Sequence, residues 1–240
     1  MRVRLQMKTI KTSTIKAIAR IFASLDYSAL ATIYCDEGGE AFWRDRRGPC
    51  QELGIKLAQV LLGRLRAGGR SLYVGAGVTE IPVLSMETME LGREVVACNL
   101  RTDEVTLLNQ ACRSHPFRFV SEDARTAKGR FDHLWIVSIL NDPERFPELS
   151  ALSYGRANPV TFNPKVFVRE REKVFALVES CLNKLRQPSL VTTSVEEIPW
   201  ITDWCTRRRV TCVVEEQDYP TAIVEDPVCF IRIGEAPTQR

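Results

Sequence analysis

Apolar positions along this chain follow two different periods, and the change between them is abrupt. Up to residue 69 they recur at helical spacing: Ile15, Ile18, Ile21, Phe22 and Leu25 mark one face, and Leu53, Leu57, Val60, Leu61 and Leu65 mark another. The spacing predicts a helix over 14–25, continuing toward 33, and a second over 51–65 that Ala67-Gly68-Gly69 stops. The piece between them, with Gly38-Gly39 and Gly48-Pro49, reads as turns. From residue 71 onward, short β-branched runs alternate with amphipathic stretches. They predict strands over 71–74, 94–100, 117–121, 133–140, 190–194, 210–216 and 228–233, and helices over 81–91, 103–113, 169–185 and 200–207.

Such alternation predicts an α/β fold: a doubly wound, mostly parallel seven-stranded sheet covered on both faces and preceded by N-terminal helices. The last two strands are joined by a loop carrying Asp218, Tyr219, Pro220, Asp226 and Pro227, with no room for a crossover helix. They should therefore pair as an antiparallel C-terminal hairpin. The expected organisation is a helical cap over 1–69 and a sheet domain over 70–240. Between 141 and 164, Pro143, Pro147, Pro159 and Pro164 interrupt any sustained helical period. A connection this long and irregular reads as a lid or substrate loop, or else as surface padding.

Composition narrows the class. A chain of 240 residues, 45% apolar and 26% charged, can bury a full core. The eight cysteines are scattered without a C-x-x-C pair, so they read as reduced core residues; with two histidines far from any cysteine pair, no metal site is expected. No apolar run reaches membrane-spanning length, and Arg20 and Asp26 interrupt the one segment resembling a signal-peptide core, so a cytoplasmic protein without a membrane span is expected. The net charge of +3 conceals an asymmetry: residues 1–70 hold 13 Lys/Arg against 6 Asp/Glu. That basic segment suits either an anionic surface or a first helix laid against the domain. Two further basic clusters, Arg44-Asp45-Arg46-Arg47 and Arg207-Arg208-Arg209, offer phosphate contacts, with Phe42 and Trp43 available to stack on a base. The competing reading is a solvated charge run at a helix end, which the modest net charge favours.

The densest chemical signal is Ser71-Leu-Tyr-Val-Gly-Ala-Gly-Val-Thr-Glu-Ile-Pro, an apolar strand running through two glycines into a helix. Gly75 and Gly77 admit backbone angles closed to other residues and allow a ligand close to the main chain. The helix beginning near Ile81 presents unpaired N–H groups to a polar ligand.

Six strands alternating with helices, a seventh in a terminal hairpin and G-x-G after the first strand together resemble the class I S-adenosylmethionine-dependent methyltransferases, with a Rossmann-like sheet domain over 70–240. The resemblance implies S-adenosylmethionine as cofactor. Gly75-Ala76-Gly77 match the loop that touches its methionine part, Asn99 takes the ribose position, and Asp123 in Ser121-Glu-Asp-Ala takes the adenine position. Tyr73, Glu80, Leu100, Ala124 and Ser138 complete the cofactor set implied by the resemblance. The resemblance puts Asn141 and Asp142 on the substrate side, near the transferred methyl, while Tyr154, with Arg156 and Asn158, lies in the long loop and could select a substrate or simply face solvent. Three positions depart from the family pattern: Tyr73 replaces an acid two before the first glycine, Asn99 replaces the ribose-binding acid, and Glu80 follows where a third glycine is usual. Glu80 can either cap the helix or reach the cofactor's ammonium group. His133, inside a strand, reads as a core residue rather than a base.

No catalytic acid or base is singled out, since transfer from a sulfonium needs positioning more than proton chemistry. The expected function is methyl transfer to a small molecule. The alternatives are aminobutyl transfer of the nicotianamine synthase kind, methylation of RNA, and a non-catalytic binding protein on a degenerate fold. A dinucleotide-linked oxidoreductase fits less well, because it needs a third glycine and an acid closing the second strand.

Overall fold

A computed structural model describes residues 8–35, 38–221 and 226–234. The first seven residues of the basic N-terminal segment thus lie outside the described residues. Three helices, α1 (Thr12–Ser24), α2 (Tyr27–Ile33) and α3 (Gly39–Leu62), precede the sheet. Then come β1 (Arg70–Val74), α4 (Ile81–Met89), β2 (Glu94–Cys98), α5 (Thr102–Ala111), β3 (Phe119–Val120) and β4 (Phe131–Ile136). The chain closes with α6 (Pro147–Ser153), α7 (Pro164–Leu182), β5 (Leu185–Ser194), α8 (Ile198–Arg208), β6 (Cys212–Val214) and β7 (Val228–Ile233).

The sheet has seven strands in the order β3-β2-β1-β4-β5-β7-β6. β2 with β3 and β4 with β5 are parallel, while β7 runs antiparallel to both its neighbours, with Val191 opposite Ile231 and Val214 opposite Ile231. The expected mostly parallel α/β sheet with an antiparallel C-terminal hairpin is therefore present. β7 does not extend the edge but inserts between β5 and β6, so all its side chains except Arg232 are buried.

Two compact units divide the residues. One comprises the chain up to Ser71 together with Ala76–Asp123; the other comprises Leu72–Gly75 and the chain from Ala124. In the first, α1 and α3 pack on α4, and α2 packs on α5. Gly54 is what lets α3 approach: a Cβ there would lie 2.6 Å from both Pro82 Cγ and Thr79 O. In contrast to the expected turn, Gly48-Pro49 lies inside α3. Proline removes one backbone bond, to the carbonyl four residues earlier, and that residue, Asp45, is exposed, so water can satisfy it.

Other boundaries also moved. β4 ends at Ile136 rather than 140, because Ser138 takes the left-handed region at φ 56° and breaks the extended run. The expected irregular connection over 141–164 contains α6, which begins on Pro147, and ends at Pro164, where α7 starts with Asn163 accepting from the amides of Lys165 and Val166 at 3.1 and 3.3 Å. α7 therefore begins before the expected residue 169.

Buried charge is handled locally in each unit. In the first, Arg93 and Glu87 form a wholly buried ion pair at 2.9 Å, with Ser71 Oγ donating to Glu87 and Arg93 donating to Arg66 O at 2.7 Å. In the second, Glu197 is wholly buried and accepts from the amides of Ile139 and Leu140 at 2.5 and 2.6 Å and from Thr193 Oγ1 at 2.9 Å. It thereby fixes the loop that leaves β4. Burial pushes the Glu197 carboxyl from its ordinary 4.5 up to about 7, against the pull of these donors.

Two expectations follow. Arg93→Met strands Glu87 out of water and should cost ~3–5 kcal/mol in urea unfolding, whereas Arg93→Met with Glu87→Leu should recover much of it. Because the folded value of Glu197 lies above its unfolded value, its stabilising contribution is full below about pH 4.5 and is lost as pH rises through about 7. Unfolding free energy measured from pH 4.5 to 8 should carry that slope, and Glu197→Gln should flatten it.

Candidate functional site

In the first unit the turn after β1 is held from both sides. The Ala76 amide donates to Cys98 O at 2.9 Å, tying the turn to the end of β2, and Asn99 Nδ2 donates to Ala76 O at 2.8 Å. The chain then makes a single 3-10 turn, Val78–Glu80, and enters α4, with Pro82 in its first turn. Glu80 reaches back to accept the Gly77 amide at 2.7 Å, so the capping role is realised.

One carboxylate at this turn was not among the expected residues. Glu104, in the first turn of α5, is buried and accepts from Tyr34 Oη at 2.8 Å and from Asn99 Nδ2 at 3.1 Å. A Cβ on Gly77 would lie 3.1 Å from Glu104 Oε1, so glycine at 77 keeps the turn and the carboxylate in close contact. Burial raises the Glu104 carboxyl, opposed by the hydrogen bonds from Tyr34 and Asn99 and by the charge of Arg101. Arg101 itself lies over the Tyr34 ring at 4.9 Å, and its amide donates to Asn99 Oδ1 at 2.8 Å. The structure thus brings Ala76, Gly77, Glu80 and Asn99 together and adds Glu104, Tyr34 and Arg101. Leu100 is half exposed just beyond, and Asp123 is close enough to Cys98 to help raise its thiol, which burial raises most.

In the second unit Gly75 sits at φ 70°, a region that favours glycine. Space is short there as well: a Cβ at 75 would lie 2.2 Å from Ile139 Cδ1, so the end of the Ile139 side chain covers the Gly75 Cα. Tyr73 is fully buried, stacked on Trp135 at 5.6 Å and edge-on to His133 at 5.8 Å. His133 in turn bonds Thr192 Oγ1 through Nε2 at 2.9 Å. Both rings are core components. Ala124 is buried.

Beyond β4, Ser138 Oγ is buried without a hydrogen-bond partner among the described residues. Asn141, 2% exposed, donates through Nδ2 to Tyr154 Oη at 2.9 Å, and its Oδ1 has no hydrogen-bond partner among the described residues. Tyr154 Oη donates onward to Asp226 Oδ2 at 3.4 Å, and burial together with the charges of Asp226, Glu197 and Glu196 holds its phenol well above the usual range. Asp142 accepts the Glu144 amide at 2.9 Å in a local turn. Asn141 and Tyr154 are therefore brought together, while Asp142 shapes the loop.

The basic clusters are engaged elsewhere. Phe42 stacks on Tyr34 at 5.3 Å and lies under Arg46, and Trp43 is buried edge-on to both rings. Arg207 pairs with Asp203 at 2.9 Å and Arg208 with Glu179. Among the described residues no group of His, Cys, Asp and Glu could hold a metal ion, and no helix is long and apolar enough to cross a membrane.

No family model matches this chain, and no curated protein matches it by sequence. Solved structures do match. Magnesium protoporphyrin IX methyltransferase from Synechocystis PCC 6803, solved with bound SAM, superposes with a TM-score of 0.53 at 12% identity, over 91% of this chain and 96% of that one. TYW2 of P. horikoshii, in complex with MeSAdo, gives 0.48 at 9% identity over 77% and 64% of the two chains. Trm5b of Pyrococcus abyssi gives 0.48 at 11% identity over 76% of this chain and 49% of its own, so this chain spans about half its length. At such identities the likeness concerns the backbone alone. The strand order, the terminal antiparallel strand and the near full-length superposition on the Synechocystis enzyme show that the chain has the fold of the class I S-adenosylmethionine-dependent methyltransferases.

Proposed function

We propose that this chain binds S-adenosylmethionine and transfers its methyl group to a nucleophile on a small molecule. One observation carries the reading: a carboxylate, Glu104, is buried against the glycine turn and held there by Tyr34 and Asn99. The family's ribose-binding acid is absent from the end of β2, where Asn99 stands. Glu104 restores that negative charge from the neighbouring helix, and its carboxylate can accept from a ribose diol. On this reading Ala76 and Gly77 border the ligand through backbone, Asn99 and Glu104 take the ribose, and Leu100 and Asp123 flank the adenine.

The cofactor's sulfonium supplies an activated methyl group, which leaves the chain's own residues to bind, orient and exclude water. Within the second unit, Asn141, Tyr154 and Asp226 form a hydrogen-bonded polar chain.

Calorimetric titration tests the reading. S-adenosylmethionine and S-adenosylhomocysteine should bind, Gly77→Trp should abolish binding, and Glu104→Ala should weaken it about tenfold or more, the scale of a hydrogen bond to a charged group. Absence of binding at millimolar concentrations overturns the reading. With substrate present, S-adenosylhomocysteine should be the product; release of methylthioadenosine would instead indicate aminobutyl transfer.

A further inference from the structure

A second feature of the first unit has no part in the reading above and does not depend on it. Where α1, α4 and α5 end, the surface opens into a cavity of about 610 Å³, within the size range of small-molecule sites. It lies beside Pro116, just before β3 begins, at the opposite edge of the sheet from the Gly77 turn and Asn99. Ala17, Ile21 and Ala111 give it an apolar floor, with Met89 partly exposed beside them. Arg20, Arg113 and His115 give it positive and hydrogen-bonding groups.

Its electrostatics are unbalanced. No Asp or Glu lines the cavity, and neither Arg20 nor Arg113 has an ion pair among the described residues. Two acids that follow lining residues in sequence make bonds of their own: Glu90 accepts the Lys11 amide at 2.6 Å, and Asp26 accepts the Ala29 amide at 2.9 Å. The carbonyls at the end of α5 would normally repel an anion. Here Arg118 donates to the carbonyl of the C-cap residue Cys112 at 2.8 Å and, in the segment that follows, to His115 O at 2.9 Å and Phe117 O at 2.7 Å. Arg118 is thus engaged with backbone carbonyls, and Arg20 and Arg113 are the guanidiniums that line the cavity. His115 reports the surplus charge: burial lowers its imidazole first, and Arg20 and Arg118 lower it further.

We infer that this cavity is a binding site for a small organic phosphate, its phosphate held by Arg20 and Arg113 and its apolar body lying on the α1–α5 floor. Two guanidinium forks suit a tetrahedral dianion, and the floor is superfluous for a bare ion. A ligand here touches neither Gly77 nor Asn99, so it would act on the protein from outside the glycine turn.

The probe is phenyl phosphate, with inorganic phosphate and phenol as its two halves, in 0.15 M salt to suppress diffuse attraction. The chain has two histidines, and His133 is wholly buried, so the accessible imidazole proton signal in NMR belongs to His115. Phenyl phosphate should raise the His115 pKa saturably and bind more tightly than either half. Arg20→Gln and Arg113→Gln, both at exposed positions, should each weaken binding about tenfold while leaving the fold, read by circular dichroism, and S-adenosylmethionine binding unchanged. The inference is overturned if phenyl phosphate gives no saturable shift, if inorganic phosphate binds equally well, or if both arginine variants bind like the parent.

Discussion

A carboxylate withdrawn from water costs more than most single contacts return unless donors surround it. This chain buries Glu80, Glu87, Glu104, Glu170 and Glu197, and the way each is satisfied determines how the chain leaves its strands. Glu80 caps the turn after β1, and Glu87 meets Arg93 where α4 gives way to β2. Glu170 accepts the Leu149 amide at 2.9 Å and so fixes the start of α6 to α7. Glu197 gathers the amides that follow β4. Each of these glutamates meets a backbone or side-chain donor at a junction between elements, where helices and strands leave amides unpaired. The loops are consequently held by buried polar bonds of short reach.

The parts of the fold legible in the sequence are those set by local period. The strand over 228–233 was bounded as observed, and α4 and α5 were found to within two residues, because alternation and amphipathic spacing record which side faces the core. The parts that were not legible depend on partners remote in sequence. Gly48-Pro49 reads as a break, yet α3 runs through it because its face is buried on α4 through the close approach at Gly54. Prolines 147 and 164 were read as interruptions, although proline at a first helical position is a start signal, and Asn163 in front of Pro164 is a cap. The insertion of β7 between β5 and β6 has no local signature; it follows from burying both faces of an apolar strand.

The candidate site divides in the same way. The glycine turn is legible because it needs a left-handed residue, Gly75 at φ 70°, whereas Asn99 is reached only through the family resemblance. Glu104 is not legible, since an acid in the first turn of a helix is ordinarily a solvated partner of the helix dipole. Only the packing of α2 on α5, which brings Tyr34 over it, makes this one a buried acceptor. Tyr73, by contrast, looked like a substituted ligand position but stacks on Trp135, because an aromatic inside a central strand gains more from core burial than from a rim.

The position of Glu104 at the start of a helix determines what controls it. A carboxylate at the end of β2 would be governed by its own strand. Glu104 is governed by the hydroxyl of Tyr34, the amide of Asn99 and the guanidinium of Arg101, and Arg101 rests on the Tyr34 ring. Tyr34 stacks on Phe42, which lies edge-on to Trp43 in α3. The ionisation of this buried acid beside the glycine turn is thus coupled, ring by ring, to the helices that precede the sheet. Those helices belong to the electrostatic environment of the turn, and any ligand that needs Glu104 ionised depends on their packing as much as on the glycines.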